Sequence, residues 1–135
     1  MRSITAAARN IAGVTLASVA AATAAAFALS ATPALADDAG KTMFAARCGM
    51  CHQVASPKSG PAAPSLKGVY GRKIASLPDF NYSTALKAKG GLWTDANLET
   101  WLTQPSNFAP GTKMFISVPS AADRATLVGY LKTAK

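Results

Sequence analysis

One short stretch constrains this chain more than any other: Cys48-Gly49-Met50-Cys51-His52. Two thiols three residues apart, followed at once by an imidazole, can share one face if the backbone is helical, because positions i, i+3 and i+4 lie together there. All three side chains can then meet one flat object. A C-x-x-C-H run is the attachment pattern for a c-type haem. The sulfurs add to the two vinyl groups of the porphyrin as thioethers, and the neighbouring histidine reaches the iron. Other uses of the residues fit less well. A structural zinc site takes four ligands, usually Cys or His, and the chain has two Cys and one His. A thioredoxin-type disulfide follows a strand in a βαβ unit, and no strand-helix alternation follows this motif. That reading and a plain structural disulfide carry little weight.

A haem iron held by His52 has a second axial position, and no other histidine exists to fill it. The methionines are Met1, Met43, Met50 and Met114. Met1 begins a stretch expected to be removed, Met50 is trapped inside the attachment motif, and Met43 lies just upstream of it. Met114 remains, far enough along the chain to return on the other face of the ring. It follows Pro110-Gly111-Thr112-Lys113, a rigid and then permissive turn suited to presenting a side chain from a loop. An isolated methionine is usually a core gap-filler. Beside a haem motif that lacks a second ligand, Met114 is the expected one.

The first 36 residues read as an address. Arg2 and Arg9 give a positive start, residues 11–29 form an uncharged, alanine-rich apolar run, and Ala34-Leu35-Ala36 places small residues where a signal peptidase reads. Cleavage before Asp37 would leave residues 37–135 as the mature domain. The apolar run is near the minimum for a membrane span, but alanine contributes little to insertion compared with leucine. A removed signal is therefore expected, with a retained anchor as the alternative. Arg2 has no arginine beside it, so a twin-arginine route is not indicated.

What remains is one domain with a thin apolar core. A bound haem would supply much of that core, so the apo chain is expected to fold poorly. Pro57, Gly60, Pro61, Pro64, Gly68, Gly71 and Pro78 mark a long irregular loop, which needs something to pack on. Helical patterning brackets it. Helices are expected over residues 40–50 and 82–89, the latter stopped by Gly90-Gly91. A third begins at the N-cap Thr94, carries Leu98, Trp101 and Leu102 on one face, and ends at Pro105. A last one opens with Ser120 and Asp123 as a capping pair and buries Leu127, Tyr130 and Leu131. The expected fold is all-α, wrapped on a cofactor.

In this order the residues resemble a class I cytochrome c, and more narrowly the mitochondrial-like subgroup of bacterial periplasms. The resemblance rests on Cys48 to His52, Pro64-Ser65-Leu66-Lys67-Gly68, Tyr70-Gly71-Arg72-Lys73, Phe80-Asn81-Tyr82-Ser83, Trp93, Pro105, the turn before Met114, and Leu127 with Tyr130-Leu131. It implies a cytochrome c fold of about four to five helices and long loops around one haem c, bound through Cys48 and Cys51 and ligated by His52 and Met114. By the same resemblance, Gly40 and Phe44 cross against Leu127 and Tyr130. The Pro64 carbonyl accepts the imidazole N–H, which orients the ring and strengthens it as a donor, and Leu66 packs on the haem face. Tyr82 and Trp93, with Arg72 close behind, approach an inward propionate, since a buried carboxylate without donors is costly. Trp101 stands where the family usually has a tyrosine near the ligand methionine. Leu86, Ala63 and Ile116 likewise replace an asparagine, a glycine and an aromatic. These departures change polarity and solvent access, which set the potential.

Charge bears on partners. Fourteen Lys and Arg stand against six Asp and Glu, a formal +8, of which Arg2 and Arg9 belong to the leader. No basic stripe with interleaved aromatics points to nucleic acid. The resemblance implies redox partners with acidic docking surfaces, such as a bc1-type complex, a terminal oxidase, a reaction centre or a dehydrogenase. Arg47, Lys58 and Lys113 fall where a basic ring could form, whereas Thr42, Pro61, Ser106 and Asn107 leave it incomplete, so electrostatic steering should be weak. The expected protein is a soluble, monomeric, periplasmic electron carrier and not an enzyme, reaching membranes only through its partners. The alternatives are a membrane-anchored respiratory subunit and, further off, a haem sensor or peroxidase-like protein. The last lacks the acid-base residues near Met114 that it would need.

Overall fold

The computed structural model describes residues 33–135; the apolar run at 11–29 and most of the expected leader lie outside the described residues. Five helices follow in order: α1 (Pro33–Arg47), α2 (Thr84–Lys89), α3 (Asp95–Thr103), α4 (Pro105–Phe108) and α5 (Ala121–Thr133). No helix among the described residues is long and apolar enough to cross a membrane. Extended pairing is limited there to one isolated bridge between Lys73 and Leu92.

Local chemistry sets most of the boundaries. Ser83, Thr94 and Ser120 are N-caps whose side chains accept from the backbone N–H groups of Leu86, Asn97 and Asp123, satisfying donors that a helix start leaves unpaired. At Ser120 the capping pair works in one direction only. The Asp123 carboxylate does not fold back to the cap but pairs with Arg47 of α1 at 3.1 Å. α2 starts after Ser83 and not at Tyr82, whose ring is buried in the core. Gly90 ends α2 at φ 66°, a left-handed conformation that costs a side-chain-bearing residue more. Pro105 ends the run of α3 as expected but also opens α4, since its fixed φ suits a first helical turn.

α1 starts earlier and stops earlier than the 40–50 expected from the sequence. As described from Pro33 onward, α1 runs through the Ala36–Asp37 bond at which cleavage is expected. At its other end α1 stops at Arg47, and the attachment motif lies in a tightened turn beyond it. Cys51 N–H bonds to the Cys48 carbonyl at 3.0 Å and His52 N–H to the same carbonyl at 2.8 Å. The i, i+3, i+4 clustering survives because these bonds keep a helical pitch.

α1 and α5 form the main helix contact, with α3 packed on α5 and on α4. The crossing is close at Gly40, where a Cβ atom would sit 2.5 Å from Tyr130 Cβ. Phe44 tilts against the Tyr130 ring at 5.5 Å between centroids. Leu127, Leu131, Val128 and Leu98 complete the buried seam. The long irregular loop between α1 and α2 packs Val69 and Ile74 into the same core.

Candidate functional site

The helices and loops surround an apolar cavity of about 330 Å3, within the size of ligand pockets generally. All ten site residues expected from the sequence line it: Cys48, Cys51, His52, Pro64, Leu66, Arg72, Tyr82, Trp93, Trp101 and Met114. Phe44, Leu98, Val118 and Leu127 add apolar wall from α1, α3, the loop before α5 and α5 itself.

His52 projects from the turn after α1, and its Nδ1 donates to the Pro64 carbonyl at 2.8 Å. That bond leaves Nε2 as the ring nitrogen able to bind a metal. Burial pushes the imidazole pKa down, opposed by the bond to Pro64, so the ring is neutral at neutral pH and its lone pair is available. Cys48 and Cys51 are not joined as a disulfide, which leaves both sulfurs for attachment. Burial raises the Cys48 pKa, with Arg47 acting the other way.

Pro64 is held in place by a hydrogen-bond network that sequence patterning did not reveal. Ser65 is fully buried; its hydroxyl donates to the Ser56 carbonyl at 2.5 Å and accepts from Lys67 N–H at 3.2 Å. Its own N–H reaches Ser59 Oγ at 3.2 Å. Ser59 in turn donates from its N–H and hydroxyl to the Asp79 carboxylate at 2.7 and 2.9 Å. These two bonds hold the Asp79 carboxyl below the usual carboxylate range. Small hydroxyls spread over a proline-rich loop carry no periodic signal, and the pairing of Ser59 with Asp79 spans twenty positions; only the fold brings them together.

Around the rest of the cavity the polar groups are few. Arg72 donates to the Lys67 and Ser65 carbonyls at 2.9 and 2.8 Å, which uses part of a five-donor guanidinium. Burial lowers the Arg72 pKa, against which a guanidinium still keeps its charge, and it raises that of Tyr82, which favours the neutral phenol. Trp93 and Trp101 meet edge to face at 5.5 Å, and Phe108 stacks on Trp93 at 5.8 Å. Every fully buried side-chain nitrogen and oxygen among the described residues is hydrogen-bonded. Neither indole N–H has a hydrogen-bond partner among the described residues, and both rings line the cavity. An apolar slot with a cation, two indole donors and a phenol at its edge suits a flat macrocycle bearing carboxylates.

Met114 is half-buried in the loop between α4 and α5. The turn before it closes through Thr112 N–H to the Ala109 carbonyl at 2.9 Å, with Gly111 at φ 91°. Lys113 reaches across to the Asn81 carbonyl at 3.1 Å. Beyond Met114, Phe115 and Ile116 are exposed, 84% and 46%, and Met50 on the attachment turn is 95% exposed. Of the cations expected to form a free basic ring, Arg47 is tied to Asp123 and Lys113 to Asn81.

The site can be set beside known proteins. A family model described as Cytochrome c matches residues 38–135. "Cytochrome c type-1" of Ascaris suum is 43% identical over 96 residues, covering 70% of this chain and 85% of that protein. "Cytochrome c-type cyt cy" of Rhodobacter capsulatus is 42% identical over 96 residues, 70% of this chain and 47% of that longer protein. Among solved structures, cytochrome cH from Methylobacterium extorquens superposes with a TM-score of 0.65 at 37% identity, covering 72% of this chain and 97% of that one. The matched span opens inside α1, takes in every residue that lines the cavity, and closes with the chain. The protein is therefore a member of the cytochrome c family, an electron-carrier cytochrome with one haem c attached through Cys48 and Cys51.

Proposed function

We propose that this protein is a soluble periplasmic carrier of single electrons, with His52 and Met114 as the two axial ligands and no catalytic role. The observation that carries the proposal is that a neutral, oriented imidazole and a loop-borne thioether line the same apolar cavity as the two thiols. The haem supplies a one-electron couple at its iron. The chain's own residues do the rest. Pro64 holds His52 in one orientation, the apolar walls keep water from the site, and Tyr82, Trp93 and Arg72 stand as donors for carboxylates. With His52 and Met114 both holding the iron, no coordination site would be open to substrate, which would favour outer-sphere transfer over catalysis.

The basic balance of the chain supports docking on acidic redox partners, and the exposed Phe115, Ile116 and Met50 near the site, with two of the expected ring cations already engaged, support a modest salt dependence. The alanine-rich run at 11–29 and the small residues at 34–36 support export with removal of the leader.

The test is an optical one. Ferric holoprotein is examined for the weak sulfur-to-iron charge-transfer band, and ferrous holoprotein for binding of carbon monoxide, in wild type and Met114→Ala. The expected result is a band and no gas binding in the wild type, and the reverse in the variant. Ready gas binding by the wild type at neutral pH would overturn the carrier reading. The mass of the mature protein tests the leader: an N-terminus at Asp37 is expected, and a retained residue 11–29 segment would make the protein membrane-tethered.

A further inference from the structure

The segment that carries Met114 is poorly held by its own backbone. Among the described residues, positions 113–117 make no backbone–backbone hydrogen bond, and the next one along the chain is Val118 N–H to the Leu102 carbonyl at 2.7 Å. Besides that bond, the far end of the loop is fixed by a side chain from α5. Arg124 is buried, 9% exposed, and its Nη1 donates to the Val118 carbonyl at 2.8 Å and the Pro119 carbonyl at 2.6 Å. Its Nε donates to Glu99 of α3 at 2.5 Å. One guanidinium thus joins the end of the loop to two helices that are themselves packed together. A cation out of water is stable only while such acceptors surround it, so the loop carbonyls and Arg124 hold each other in place.

We propose that Arg124 is a positioning residue for the axial methionine: through Val118 and Pro119 it sets how often the loop opens and Met114 leaves the iron. Glu99 orients the guanidinium and acts in the same direction with smaller effect. The inference rests on Met114 being a ligand.

The test uses ferric holoprotein with imidazole as the probe, because an external ligand binds only when Met114 has left. Its limiting binding rate and the charge-transfer band are measured in wild type, Arg124→Leu, Arg124→Lys and Glu99→Gln. The control is Asp95→Asn, which breaks the surface clip of Asp95 with Tyr70 and Lys132 and leaves the loop alone. Variants are compared at urea concentrations that give equal margins of global stability. Losing a charge-assisted hydrogen bond to the loop should raise the opening rate about tenfold or more in Arg124→Leu. Arg124→Lys, which keeps charge but loses the planar fork, should fall between, and Asp95→Asn should match wild type. Should Arg124→Leu not fold, faster imidazole binding in Glu99→Gln, with the band weakened, carries the same conclusion. If the arginine and glutamate variants bind imidazole no faster than the stability-matched control, Arg124 is only a structural residue and the inference falls while Met114 ligation stands. If the wild type itself lacks the band, it is the ligation reading that has failed, and this one with it.

Discussion

Replacing Gly40 by alanine should destabilise the protein, against the usual benefit of alanine in a helix. The added Cβ would lie 2.5 Å from Tyr130 Cβ and 3.1 Å from the Thr126 carbonyl oxygen. Carbon atoms in contact prefer about 3.5–4.0 Å, so α1 and α5 must part by about 1 Å. Both atoms of the closest pair are Cβ atoms fixed to their backbones, and no rotamer change relieves them. Overpacking of a tight core costs about 1–3 kcal/mol, with the upper end expected where the clash is rigid. Alanine returns about 1 kcal/mol of helix propensity over glycine. The net loss is about 2 kcal/mol, or roughly 10 °C in melting temperature for a domain of this size. Gly129 is the internal comparison, since it lies in the same helix pair and a Cβ there meets nothing within 4 Å. Gly129→Ala should therefore stabilise by about 0.5–1 kcal/mol. The assay is urea unfolding of the holoproteins followed by far-ultraviolet circular dichroism, with the slope unchanged and the midpoints moving in opposite directions. Tyr130→Ala should not rescue Gly40→Ala, because it keeps the offending Cβ. A neutral or stabilising Gly40→Ala would refute the claim that the helices meet closely there.

Three further outcomes follow from the same structure. Ser65→Ala leaves the part-buried Lys67 N–H and Ser56 carbonyl without their partner, and should cost about 1–3 kcal/mol of unfolding free energy. Asp79 has a folded-state pKa below its ordinary value because Ser59 donates to it twice. Its contribution to stability is therefore present above the ordinary carboxylate range and lost as pH falls through the depressed folded value; Asp79→Asn should flatten the acid limb of a midpoint-against-pH curve and leave the neutral region level. Thr94→Ala removes the cap of α3 at Asn97 N–H and should lower stability by about 1 kcal/mol in the same assay.

The site was more legible in the sequence than the scaffold that holds it. Cys48, Cys51 and His52 are adjacent, so their joint meaning is local, and Met114, which lines the same cavity, stood out because so few other candidate ligands exist. The caps at Thr94 and Ser120 were readable for the same reason: donor and acceptor lie three residues apart. Arg124 was not readable. On a helix surface a lone arginine usually faces solvent, and its burial depends on carbonyls of the preceding loop and a carboxylate from α3. Arg47 looked like a free docking cation until the crossing of α1 with α5 brought Asp123 beside it. Helix α4 went unseen because Pro105 signals the end of one helix as well as the start of another. The first helix was expected to run on to residue 50, into the motif, yet it stops at Arg47 and the motif lies in the turn beyond, where a tightened turn preserves the same side-chain spacing.

The pairing of α1 with α5 also bears on the order of events when the chain is made. Asp37 accepts a hydrogen bond from Thr133, 96 positions away, and Gly40 and Phe44 pack on Tyr130. Contacts of such sequence separation cannot form until α5 itself has been made. A growing chain that ends before α5 has nothing to cover the inner face of α1, and the turn bearing Cys48, Cys51 and His52 follows directly from that helix. Synthesis thus includes an interval in which the two thiols are reachable and the domain has not yet closed over them.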